Sequence, residues 1–176
     1  MNRAWADAFV EGLAQAGVSR AVVCPGARSA PLAMALARCS AIDTIPVLDE
    51  RSAAFIGLGV GKAGRGPAVI LCTSGSAGAH MLPAVIEADA AGVPLLIVTA
   101  DRPPEARDGL HRQTTEQLSF FAGRSRKTVV LGCPSDVEDS WPGVAARQAV
   151  EATIGDLPGP VHVNAPFREP LGPSHG

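Results

Sequence analysis

Tyrosine is missing from this chain of 176 residues, and aromatic side chains together make up only 4% of it. Single-stranded nucleic acid binds by stacking its bases on aromatic faces, so that class of partner is disfavoured. Neither sign of charge dominates: 15 Lys and Arg stand against 17 Asp and Glu, a formal net charge of −2. The basic stripe that a nucleic-acid surface requires is absent. Four cysteines, Cys24, Cys39, Cys72 and Cys133, include no C-x-x-C pair. A zinc site and a disulfide framework are thereby disfavoured. Buried reduced thiols are expected, because Cys24, Cys72 and Cys133 lie in or beside apolar runs. No apolar run has the length of a membrane span. The first residues lack the apolar core of a signal peptide, and the expected compartment is the cytoplasm.

What is present is the composition of a folded chain, 47% apolar and 18% charged. Apolar runs that read as strands recur at 20–24, 44–48, 68–73, 94–99, 128–131 and 161–164. Helical spacing fills the intervals: 3–16, 31–38, 51–63, 77–90, a short stretch at 115–122, and 141–153. Pro46 marks its strand as an edge or irregular one. Strands alternating with helices predict an α/β fold. It is a three-layer open parallel sheet of about six strands with helices on both faces. One domain is expected over 1–168, followed by a loose tail at 169–176.

In such folds ligands gather at the loops that follow the strands. Here those loops are Pro25-Gly26-Ala27-Arg28-Ser29, Asp49-Glu50-Arg51, Ser74-Gly75-Ser76 and Ala100-Asp101-Arg102-Pro103. Glu50 has two readings. It is either an acid interacting with a helix dipole, or a carboxylate raised in pKa by apolar neighbours and able to exchange a proton near neutral pH. Arg28, Arg102 and Arg107 suit bidentate binding of carboxylates or phosphates, against the alternative of solvated surface charge. Gln113 is one polar residue in a polar loop. Gly59-Val60-Gly61-Lys62-Ala63-Gly64 matches G-x-G-x-x-G, but it follows a helix rather than a strand. Its glycines are read as letting a helix pack closely and then stop.

Four segments taken together carry a resemblance: Pro25-Gly26-Ala27-Arg28-Ser29-Ala30-Pro31-Leu32, Asp49-Glu50-Arg51-Ser52-Ala53, Thr73-Ser74-Gly75-Ser76-Ala77, and Thr99-Ala100-Asp101-Arg102-Pro103-Pro104-Glu105. In order and spacing they resemble the N-terminal pyrimidine-binding domain of thiamine-diphosphate enzymes. Within that family they resemble the branch acting in menaquinone biosynthesis, and the likeness runs from Asn2 to about Pro166. The resemblance implies that Glu50 hydrogen-bonds N1′ of the cofactor's aminopyrimidine and favours its imino tautomer, which removes the thiazolium C2 proton. It places Pro25, Thr73, Ser76 and His80 around the pyrimidine ring, and Arg28, Arg102 and Gln113 near isochorismate or the product. The implied reaction decarboxylates 2-oxoglutarate and adds the succinyl unit to isochorismate.

Three positions depart from the family pattern. Ala27 stands where serine is common, and His80 and Arg112 stand where asparagine is usual. Enzymes of this family are also considerably longer. They hold the diphosphate through Mg²⁺ on a separate domain with a G-D-G motif, and here Gly155-Asp156 is followed by Leu157. The resemblance therefore implies a chain with no metal ligands of its own. It implies an isolated domain, inactive alone, whose partners are the diphosphate-binding domain and further copies in a homodimer or homotetramer. The alternatives are a non-catalytic dimerising or metabolite-binding module, and another thiamine-dependent carboligase.

Overall fold

The computed structural model describes residues 1–64, 66–106 and 112–172. It contains six strands: β1 (Arg20–Val23), β2 (Asp43–Pro46), β3 (Ala68–Cys72), β4 (Leu95–Asp101), β5 (Thr128–Val130) and β6 (Pro160–Pro166). They form one sheet in the order β2-β1-β3-β4-β6-β5, with every pairing parallel. Five α-helices accompany them: α1 (Asn2–Gln15), α2 (Ala30–Arg38), α3 (Glu50–Lys62), α4 (Leu82–Ala91) and α5 (Trp141–Ile154). Among the described residues no helix is long and apolar enough to cross a membrane.

Strand periodicity divides the core into two. Val69 and Leu71 of β3 join Leu96 and Val98 of β4 beneath α1, α2 and α5, where Trp5, Phe9 and Leu13 pack. Ile70 and Cys72 point the other way, with Leu95 and Ile97, towards Ala53, Ala54, Met81, Val85 and Ala88. This is the alternation of side chains across a pleated strand. The three-layer parallel α/β architecture expected from the sequence is thus the one found.

Pro46 lies on the edge strand. The next residue, Val47, donates its N–H to Val23 O at 2.9 Å. Because N–H directions alternate along a strand, the missing donor of Pro46 falls on the open side and breaks no ladder bond.

Two helical expectations need correcting. The interval 77–90 is a 3-10 helix over Gly75–Met81 followed by α4. Pro83, in the first turn of α4, explains the break, because it lacks an N–H and suits only a helix start. The expected helix at 115–122 is a run of turns. The Glu116 carboxylate accepts from the N–H groups of Leu118 and Ser119, each at 2.9 Å, and Gln117 is drawn into the interior. The Asn2 side chain donates to Arg168 O and Pro170 O, at 2.8 and 2.9 Å. Residues 173–176 lie outside the described part.

The glycine-rich run at 59–64 occupies the end of α3, on the packing side that its position after a helix suggested. A Cβ on Gly61 would come within 2.7 Å of Val93 Cγ1 and 2.8 Å of Pro94 O, whereas one on Gly59 meets nothing. Gly61→Ala should therefore destabilise the fold by about 1–3 kcal/mol through overpacking. Gly59→Ala should stabilise it by up to about 1 kcal/mol through helix propensity. Urea denaturation of both variants checks the pair.

Candidate functional site

From β1 the chain first steps outward to β2 and then returns past β1 to β3. The reversal leaves a crevice at the carboxyl ends of β1 and β3, where open α/β sheets bind ligands. The two loops meet closely there. A Cβ on Gly26 would lie 2.5 Å from Thr73 Cβ, so only glycine allows this approach. Buried Ser29 closes the first loop: its hydroxyl accepts from Gly26 N–H and donates to Gly26 O, both at 3.1 Å.

The next loop divides two tasks between adjacent acids. Asp49 is the N-cap of α3, and its side chain accepts from Ser52 N–H at 2.7 Å. Hydrogen bonding from Ser52 holds the Asp49 carboxyl below its ordinary range, with smaller help from the charges of Arg51 and His80. Glu50, the first helical residue, is half-buried and is not the capping residue. Its charge is felt by two buried thiols. Cys24 is pushed up to about 12, mainly by burial and then by the charges of Glu50 and Asp49. Cys72 is likewise raised, by burial first, then by Cys24 and Glu50. Glu50 thus stands near thiols that remain protonated and neutral. Around the same strand ends lie exposed Pro25, half-buried Thr73, and Ser76 and His80 on the outer side of the 3-10 helix.

The arginines occupy the flank towards β4 and β6. Arg28 is only 6% exposed; Nη1 donates to Phe167 O at 2.8 Å, and Nη2 lies 3.2 Å from Glu169 Oε1. Burial lowers its pKa from the ordinary value, the Glu169 carboxylate opposes that, and the like charge of Arg102 adds to the lowering. Arg28 and Arg102 are therefore electrostatic neighbours. The Arg102 backbone N–H is held by Asp101 Oδ1 at 2.7 Å, while its Nε is buried without a partner among the described residues. Gln113 reaches across to the turn after β3, donating to Ser74 O at 3.2 Å. It presses so close to Gly75 that a Cβ there would meet Gln113 Cγ at 2.7 Å, and Gly75 has φ +79°. Arg107 lies outside the described residues.

Beneath this surface runs a buried polar network that reading the sequence did not find. Gln117 Oε1 accepts from Gly75 N–H at 2.7 Å, and its Nε2 donates to Asn164 Oδ1 at 2.9 Å and Ala100 O at 3.3 Å. Asn164 Nδ2 donates to Asp101 Oδ2 at 2.8 Å. The Thr99 hydroxyl gives its one proton to Asn164 Oδ1 at 2.9 Å, so at 2.8 Å it accepts from His162 Nε2–H. That assigns the lone pair of His162 to Nδ1, which has no partner among the described residues. Its pKa is lowered to about 4, because burial penalises the charged ring more than the charge of Glu116 favours it. The one signal in the sequence was Val161-His162-Val163-Asn164, with two polar residues on one face of a strand. Gln117, in a polar loop, gave none.

Comparison with known proteins adds to this geometry. The family described as thiamine pyrophosphate enzyme, N-terminal TPP binding domain, matches residues 3–122. Among similar proteins, one from Acaryochloris marina is 46% identical over 175 residues, covering 98% of this chain and 30% of its own length. Another, from Dechloromonas aromatica, is 45% identical over 175 residues, with 99% and 33% covered. A third, from Geobacillus kaustophilus, is 47% identical over 171 residues, with 96% and 30% covered. All three are named 2-succinyl-5-enolpyruvyl-6-hydroxy-3-cyclohexene-1-carboxylate synthase. The chain spans about a third of the length of these curated relatives.

Two outcomes follow from the buried network. Gln117→Met keeps the volume and leaves Gly75 N–H unpaired, a loss of about 1–3 kcal/mol by chemical denaturation. His162, neutral when folded and near 6.5 when unfolded, takes up its proton in the unfolded chain first as pH falls. Its stabilising contribution is complete above pH 6.5 and is lost towards pH 4, about 3 kcal/mol in all. Denaturation curves at pH 7 and 5 should diverge in the wild type, and less so in His162→Gln.

Proposed function

The chain belongs to the thiamine pyrophosphate enzymes, as their N-terminal TPP-binding domain, and from that membership we propose that it supplies the pyrimidine-activating half of a synthase active site. The reaction would decarboxylate 2-oxoglutarate and add the succinyl unit to isochorismate. One observation carries this reading: Asp49 does the capping of α3, which leaves the Glu50 carboxylate free of that duty, near buried neutral thiols at the strand ends.

The residues present fit one part of the cofactor. An aminopyrimidine needs a carboxylate in poorly polar surroundings, a close approach of backbone to the ring, and small polar groups at its edge. Glu50, the Gly26–Thr73 contact, and Thr73, Ser76 and His80 match these needs. The diphosphate with its Mg²⁺ would be held by a different domain. When bound, the cofactor supplies the carbanion chemistry. Glu50 would share a proton with N1′, and Pro25 and Thr73 would limit how the ring can sit.

Both proposed substrates are dicarboxylates, which accounts for two neighbouring guanidinium groups in one flank. Arg102, whose Nε has no partner among the described residues, and Gln113, at the turn after β3, would orient the acceptor. Leu48, 91% exposed, and Phe55 and Ile56 leave apolar surface beside the acid. That surface supports closure of the site by another domain or a second copy, and this chain would be inactive without it.

The test is Glu50→Gln in this chain joined to the remaining two thirds that its relatives carry. Decarboxylation of 2-oxoglutarate should fall by about two to four orders of magnitude, with cofactor affinity changed far less. Turnover within a few-fold of wild type would overturn the role of Glu50.

A further inference from the structure

Strand β6 leaves the sheet through three residues that bind the segments following β1, β4 and β5. Phe167 N–H donates to Asp101 O at 3.1 Å, and its carbonyl accepts from Arg28. Arg168 turns to the loops after β4 and β5, with Nε 2.6 Å and Nη2 3.1 Å from the two Glu105 oxygens, and Nη1 2.8 Å from Asp136 Oδ1. Glu169 turns the opposite way, to Arg28.

The last pairing is unequal. The Arg28 side chain is 7% exposed, but that of Glu169 is 69% exposed. A buried guanidinium is costly unless an anion neutralises it, so Arg28 requires a carboxylate at this place whether or not a substrate is bound. Glu169 loses little by leaving, since most of its side chain already meets water. Its backbone would not have to follow, because Asn2 holds both Arg168 O and Pro170 O. The charge of neighbouring Arg102, which Arg28 feels, also favours an incoming carboxylate at this place.

We propose that Glu169 is an internal carboxylate ligand of Arg28, which an anionic substrate displaces by rotating the glutamate side chain outward. The inference rests on reading Arg28 as the receptor of a substrate carboxylate. Glu169 then sets a threshold for entry. A ligand carboxylate must outcompete one held by the chain itself, and a ligand that also engages Arg102 does so best. Single-point anions are thereby selected against.

The test titrates succinate, a plain dicarboxylate, calorimetrically into the wild-type chain, Glu169→Gln and Glu169→Asp. Glu151→Gln, an exposed acid on α5, controls for net charge. Loss of a partly exposed ion pair predicts binding about fivefold tighter in Glu169→Gln, an intermediate gain in Glu169→Asp and no change in Glu151→Gln. Unchanged or weaker succinate binding in Glu169→Gln overturns the proposal. Equal tightening in Glu151→Gln overturns it too, because net charge would then be the cause. Turnover of 2-oxoglutarate with isochorismate by the complete synthase is measured separately. Its absence would refute the catalytic reading and leave the succinate series to decide this one.

Discussion

Burial of both faces of the central strands is the constraint from which the rest follows. All five residues of β3 and all seven of β4 and of β6 are buried. Parallel strands need crossover connections, and helices in those crossovers cover the sheet on both sides. Parallel strands put all their carboxyl ends at one edge. Loops distant in sequence, after β1, β2, β3 and β4, therefore meet there without any local signal that they should. The reversal between β1 and β3 opens the crevice, and the absence of a side chain on Gly26 allows its walls to approach.

At that edge, adjacent residues take opposite duties. Asp49 satisfies the helix end and Glu50 does not. Arg168 binds outward to Glu105 and Asp136, while Glu169 binds inward to Arg28. The buried chain from His162 through Thr99, Asn164 and Gln117 to Gly75 joins strands β4 and β6 to the turn after β3. Such a network is stabilising only when its members are satisfied. The Nδ1 of His162, without a partner among the described residues, is the exception, and burial lowers the pKa of that ring to about 4.

The elements built from periodicity were legible. The six strands appear where apolar runs placed them, with shifts of one or two residues at their ends. Pro46 foretold an edge strand, and the glycines after a helix foretold close packing. The stretch 115–122 was misread because its helical spacing lost to tertiary bonds. Glu116 folds back on the N–H groups of Leu118 and Ser119, and Gln117 is committed to Gly75 and Asn164. Propensity is a weak prior where a buried donor must be satisfied.

The sequence by itself determined the layering, the parallel sheet and the loops that bear Glu50, Arg28 and Arg102, because each depends on residue spacing along one element. Only the tertiary structure decided what those residues are free to do. It assigned capping to Asp49, neutral thiols to the surroundings of Glu50, a chain carboxylate to Arg28 and, to Arg102, an Nε without a partner among the described residues. The physical reason is that charge, burial and hydrogen-bond satisfaction are set by neighbours across the sheet. Those neighbours stand as far as 141 positions apart in the chain, as Arg28 and Glu169 do.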